Sequence, residues 1–256
     1  MHRLEYSSLL TPKEKFYLEP IACIHVGNKG FEQEKFDERI QAILEEPNRY
    51  TVLMGDLHDA IYPSANEKRY DPDTIDMRFW PPQKGYKWLE KKLKPLADKN
   101  KILGISEGNH DRTLFKRFGH NYIKELCDNL EVPYLGYVWF LKLKFPNKQS
   151  YIINGAHGHY SGRDFGGNIN HLGKLRMGYD ADIFLRAHSH QIGFHDKKIE
   201  TFNGSKMIYF ASVGSFLNAF KEGQISYAEE ADLLPLPTGT ISFSMDPWKN
   251  KIDFYK

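Results

Sequence analysis

The stretch "IACIHVGNKG", residues 21–30, carries an apolar run that stops at His25 and is followed by Gly27. Such a run reads as a buried strand over residues 21–26, and the two-residue period of a strand would turn Cys23 and His25 to the same side. Working outward, "FEQEKFDERIQAILEE" places Phe31, Phe36, Ile40 and Ile43 near helical spacing before Pro47 ends the run. "YTVLM" at 50–54 predicts the next strand. Pro81 and Pro82 then introduce an amphipathic helix through "YKWLEKKLKPLADK", and "KILGIS" at 101–106 predicts a third strand.

Strand, helix and strand in alternation argue for parallel pairing, with ligands gathering at the carboxyl ends of the strands. The second half reads differently. "YVWFLKLKF" and "SYIINGA" alternate around the turn "PNKQ", and Asn203 with Gly204 in "FNGSK" is a strong hairpin signal. Further strands are expected at 181–186, 206–212, 239–245 and 251–255. The predicted class is α/β: two packed mixed sheets flanked by helices, in a single domain over 1–256, since no repeat or linker divides the chain.

Composition narrows the function. With 35 Lys and Arg against 33 Asp and Glu, the net charge of +2 imposes no electrostatic demand for nucleic acid. Two cysteines are too few for a disulfide framework, and the first twenty residues show no signal peptide, so a cytoplasmic setting is expected. No apolar segment approaches the roughly 20 residues that cross a bilayer, so no membrane role is expected.

Five predicted strands run directly into polar segments: "CIHVG" at 23, "GDLHD" at 55, "GNHDR" at 108, "GAHGH" at 155 and "RAHSH" at 186. Seven of the eleven histidines (His25, His58, His110, His157, His159, His188, His190) fall in these places. A single histidine after a strand is ordinarily structural or exposed; five such segments at one edge of the fold fit a pair of divalent cations. Two ions about 3.5 to 4 Å apart need a shared carboxylate, which Asp56 could supply, neutral donors around them, and open positions for water and substrate.

In order and spacing, "CIH", "GDLHD", "GNHD", "HGH" and "AHSH" resemble the signature of the calcineurin-like metallophosphoesterases across residues 21–190. The resemblance implies that Cys23, His25, Asp56 and His190 surround one ion, and Asp56, Asn109, His157 and His188 the other, the ions being Mn, Zn or Fe. It implies hydrolysis of a phosphate ester, mono- or diester, with nucleotides and DNA among the substrates of such proteins. His110 would be the unligated catalytic histidine and Asp59 would orient it. Protein partners are not indicated.

The residues themselves are compatible with these roles. An Asn109 carbonyl donates without adding charge, and a carboxylate beside His110 would keep a proton available for a leaving oxygen. Spacing does not choose between His157 and His159; the family uses the first, which leaves His159 either a substrate contact or exposed. In "YSGRDFGGNINHLGKLR", Arg163 beside Gly166 and Gly167 reads as a substrate-phosphate loop or as a flexible connector with a solvated Arg.

Two positions depart from the family pattern. Cys23 stands where aspartate is usual: a thiolate ligand suited to zinc or iron, or a small buried hydrophobe beside a weakened site. Ala187 replaces a glycine before His188, which is tolerated unless that backbone needs positive φ. A degenerate site would leave a non-catalytic binding scaffold, as in a retromer subunit that resembles the family.

Overall fold

The computed structural model describes residues 1–60, 72–160, 162, 165–202, 204–223 and 225–255. A strand that the sequence pattern did not announce, β1 (His2–Ser7), precedes β2 (Phe16–Ile21), α1 (Gln33–Glu45), β3 (Arg49–Met54), α2 (Pro82–Asp98) and β4 (Ile102–Ser106). Strands β2, β3 and β4 pair in parallel, as strand-helix alternation requires. Helix α1 buries Phe36, Ile40 and Ile43, and α2 buries Tyr86, Leu89, Leu93 and Leu96, so each presents one apolar stripe to the sheet.

Next come α3 (Asn109–Phe118), α4 (Tyr122–Leu130), β5 (Val138–Lys144), β6 (Ser150–Ala156), α5 (Phe165–Lys174), β7 (Ile183–Arg186), β8 (Ile192–Thr201) and β9 (Gly204–Ser215). A short α6 (Tyr227–Glu230), β10 (Gly239–Thr240), β11 (Ser242–Asp246) and β12 (Lys251–Tyr255) complete the chain. The hairpin expected at Asn203 and Gly204 joins β8 to β9 through the Thr201–Gly204 pair; Asn203 itself lies outside the described residues.

Among the described residues these strands make two sheets. One has the order β1-β5-β6-β7-β9-β10 with β8 also on β9, and the other β12-β11-β2-β3-β4. Both mix parallel and antiparallel pairs. The segment expected as one strand at 239–245 is split, because β10 pairs with β9 in the first sheet and β11 with β2 in the second.

Phe16, Leu18 and Val52 from one sheet meet Trp139, Ile153 and Leu185 from the other in a shared core. Helices α1, α2 and α4 cover the outer face of the five-stranded sheet, and α5 covers the other through Leu172 against Phe184 and Phe210. The architecture is therefore the expected α/β class of two packed mixed sheets flanked by helices. Among the described residues no helix is long and apolar enough to cross a membrane.

One boundary is corrected. The strand expected over 21–26 ends at Ile21, and the backbone at Cys23 and His25 is left-handed, with φ of 49° and 55°. Strand alternation therefore does not aim these two side chains; a turn does.

Candidate metal centre

Each polar motif follows the carboxyl end of a strand: Cys23 and His25 after β2, Asp56 to Asp59 after β3, Asn109 and His110 after β4, His157 after β6, His188 and His190 after β7. Packing of the two sheets brings these ends together. His157 Nδ1 lies 2.9 Å from the Met54 carbonyl of the opposite sheet, and the Cys23 carbonyl accepts from Phe216 N at 3.0 Å.

Side chains separated by as many as 165 positions in sequence then come into contact. His25 Nε2 is 3.2 Å from His190 Nε2. His157 Nε2 is 3.1 Å from Asp56 Oδ2, 3.1 Å from Asn109 Oδ1 and 3.3 Å from His188 Nδ1. Donor atoms of Cys23, His25 and His190 lie within 4.8 Å of one another, as do those of Cys23, Asp56 and His157, and those of His25, Asp59 and His110. The sequence reading put Asp56 at the shared position; among these groups Cys23 and His25 each occur twice and Asp56 once.

Backbone strain is concentrated here. Cys23, His25, Asp56, His188 and His190 all have positive φ between 49° and 69°. For residues other than glycine each such conformation costs of order 1 kcal/mol, and it persists only where surrounding structure enforces it. Ala187 is outside this set and packs its methyl in the core, so the departure from glycine brings no strain.

Charges in the centre are coupled. Burial opposes ionisation of Asp56, but His157 and His110 outweigh it and hold the carboxyl well below its ordinary value. Burial likewise opposes ionisation of Asp59, and the His25 hydrogen bond prevails, lowering it to about 2. His188 is lowered to about 4, and His190 well below its ordinary value, by burial and then by neighbouring imidazoles. Burial and the Asp56 charge push the Cys23 thiol well up.

His188 and His190 are thus held neutral, with His188 Nδ1 3.3 Å from His157 Nε2 and His190 Nε2 3.2 Å from His25 Nε2. Neutral nitrogens, a carboxylate, an amide oxygen and one sulfur make a donor set suited to zinc, iron or manganese. The residues fit divalent metal.

Asp59 contacts two histidines, His110 and also His25. Its Oδ1 is 2.9 Å from His25 Nδ1 and 3.5 Å from His110 Nδ1, while its main-chain carbonyl takes His110 Nδ1 in a close hydrogen bond. The carboxylate orients His25 before it orients His110. His110 Nε2 stands 4.0 Å from Asp56 Oδ2, and its ring meets that of His25 edge-on.

His159 is exposed and belongs to none of the three groups of close donors. Strand β6 ends at Ala156 and Gly158 is left-handed, which breaks the alternation that would have aligned His159 with His157. Arg163 lies outside the described residues, as does Tyr70. Arg112 pairs with Glu107 at 2.9 Å, and Phe79 packs edge-on against Trp88.

Two supporting residues escaped the sequence reading. Asp111, the third residue of α3, accepts from Asp56 N at 2.7 Å, Gly108 N at 3.0 Å and Tyr86 Oη at 2.7 Å, and so ties the β3 loop to the helix start. Its place in "GNHD" was the available signal. Asn28 Nδ2 donates to Asp59 Oδ2 at 3.1 Å, and nothing in its sequence surroundings marks it. His58, left without a role by the motif, is a buried ring wedged against Gly27 and Gly85 and stacked on Tyr86, with burial lowering it to about 4.

No protein-family model and no curated protein matches the chain. Among solved structures it is similar to an uncharacterized protein, a predicted phosphoesterase, from Streptococcus pneumoniae TIGR4, at 11% identity over 94% of this chain and 98% of that one, with a TM-score of 0.40. A single mutant of Vps29 from Entamoeba histolytica is similar at 12% identity over 94% and 98%, TM-score 0.44. A metallophosphoesterase from Sphaerobacter thermophilus follows at 11% identity over 94% and 88%, TM-score 0.42. Likeness at this level carries no argument about chemistry, which rests on the chain's own side chains.

Proposed function

We propose that the chain is a metal-dependent hydrolase of phosphate esters, with one ion held by Cys23, His25, Asp56 and His190 and a second by Asp56, Asn109, His157 and His188. The observation that carries this reading is the approach of His157 Nε2 and Asn109 Oδ1 to within 3.1 Å, beside the Asp56 carboxylate that lines a cleft together with His25, His110, His188 and His190. Two divalent ions, when bound, supply Lewis-acid polarisation of phosphate and a water of lowered pKa.

The remaining work belongs to the protein. Asp56 and Asn109 hold the phosphate side of the cleft with one charge and one neutral oxygen, so positive potential is left for an anionic substrate. His110, restrained through Nδ1 by the Asp59 carbonyl, lines the cleft with Nε2 4.0 Å from Asp56 Oδ2, and there it delivers a proton to the departing oxygen. Asp59 and Asn28 fix the His25 ring for ligation.

The test is hydrolysis of p-nitrophenyl phosphate, its bis ester, a nucleotide and single-stranded DNA after loading with manganese or zinc. Turnover that disappears with chelator and returns with metal supports the reading. A folded, metal-loaded protein that cleaves none of the four abandons it for a binding scaffold. Cleavage of the bis ester alone assigns a diesterase.

A further inference from the structure

The cleft that contains His25, Asp56, His110 and His188 has a volume of about 390 Å³, a size typical of small-ligand pockets, and also takes in a leucine-rich segment. Its far side is apolar: Leu217, Tyr227, Leu233, Leu234 and Leu236 line it. Tyr227 is 63% exposed and Leu234 73%, a cost to a free surface unless something apolar covers it.

This wall is anchored to the segment that carries the metal-centre side chains. Phe216 N donates to Cys23 O at 3.0 Å, Asn218 N to Gly30 O at 2.8 Å, and Phe31 pairs with Leu217 in an isolated bridge. Ser226 Oγ, buried, hydrogen-bonds the Ala219 carbonyl, and Leu233 N donates to Ala228 O at 2.8 Å, which ties the lining segment to residue 219 and closes it on itself. Distance from wall to metal centre is therefore set by the same turn that places Cys23 and His25.

Binding a phosphate needs charge and hydrogen-bond donors; it gives no reason for leucines. An apolar wall opening directly onto the phosphate side needs a ligand with an anionic end and an apolar end. We propose that Leu217, Tyr227 and Leu234 form the subsite for the apolar, aryl-sized organic group of the phosphate ester, which rests on the phosphoesterase reading and names its substrate class. The ester is a small molecule whose phosphate meets the histidines while its ring lies on the leucine wall.

Manganese-loaded protein titrated calorimetrically with methylphosphonate and with phenylphosphonate tests this without turnover. Phenylphosphonate should bind about tenfold tighter, the discrimination an apolar pocket provides for a ring of this size. In the doubly substituted Tyr227→Ser, Leu234→Ser protein, both sites being exposed, the ratio of the two affinities should fall to within about twofold. Equal affinities in the unsubstituted protein, no binding of either probe, or a ratio that survives both substitutions overturns the subsite. Failure of the phosphoesterase reading looks different: no ester is hydrolysed while the phenyl preference and its loss in the double variant remain.

Discussion

Asp59 holds two histidines by two different groups, its carboxylate 2.9 Å from His25 Nδ1 and its main-chain carbonyl on His110 Nδ1. Only the first of these contacts depends directly on the side chain. Substitution at 59 should therefore act on the metal centre, and substitution at 110 on the proton.

His110→Ala is expected to lower kcat by about 10² to 10⁴ with metal content unchanged. Asp59→Ala is expected to weaken metal binding by about 10- to 100-fold, because the His25 ring loses its partner. Elemental analysis after dialysis, beside steady-state kinetics, measures both. Equal metal loss in the two variants would contradict the division of roles.

Cys23 belongs to two of the three close donor groups and is fully buried. X-ray absorption of the zinc-loaded protein should show a sulfur neighbour, and Cys23→Ala should lose it together with at least one ion. Cys23→Asp should retain two ions and shift preference from zinc toward manganese, since an oxygen ligand is harder than a thiolate. Because the thiol is pushed up in the metal-free protein, zinc uptake at neutral pH should also release a proton, readable with a pH indicator in weak buffer. A shell of nitrogen and oxygen alone would remove Cys23 from the ligand set.

Gly108 leaves no room for a side chain: a Cβ there would fall inside the Asp56 carboxylate and against its main-chain nitrogen. Gly108→Ala should destabilise the fold by about 1 to 3 kcal/mol and displace Asp56, with loss of metal. Thermal unfolding and metal analysis together check it. Full metal content in this variant would show that Asp56 can move without consequence for the centre.

Acid stability of the metal-free protein follows from the depressed carboxyls and imidazoles. His188, lowered to about 4, contributes stability that is present above its ordinary value of 6.5 and lost as pH falls toward 4. Asp59, lowered to about 2, contributes stability present above 3.8 and lost as pH falls toward 2. Denaturant midpoints measured from pH 7 to 2 should thus decline in two stages, and Asp59→Asn should flatten the lower one. An unaltered lower stage in that variant would mean that the Asp59–His25 contact is not formed in solution.

Much of the centre could be read before any coordinates, because its residues occur in short motifs directly after apolar runs. Strand ends at Ile21, Met54, Ser106, Ala156 and Arg186 locate the turns to within a few residues, and the residue types name the donors. Periodicity failed where backbone left the strand: Cys23 and His25 reach one place through left-handed turns, and Gly158 sends His159 outward. The N-terminal β1 was missed because four of its six residues are exposed and its apolar alternation is confined to Leu4 and Tyr6.

Composition and local spacing by themselves pointed to the α/β class and to the strand ends rich in His, Asp and Asn, while His25, Asp56, Asn109, His157, His188 and His190 were singled out as a set by the resemblance of the motif order to the calcineurin-like family. Tertiary structure alone decided which of them touch, that Asp59 serves His25 first, that Asp111 braces the Asp56 loop, and that a leucine wall faces the cleft. Spacing along a chain fixes neighbours within one turn or strand; contacts between residues 30 to 165 positions apart depend on how two sheets pack, and that is set by the whole core at once.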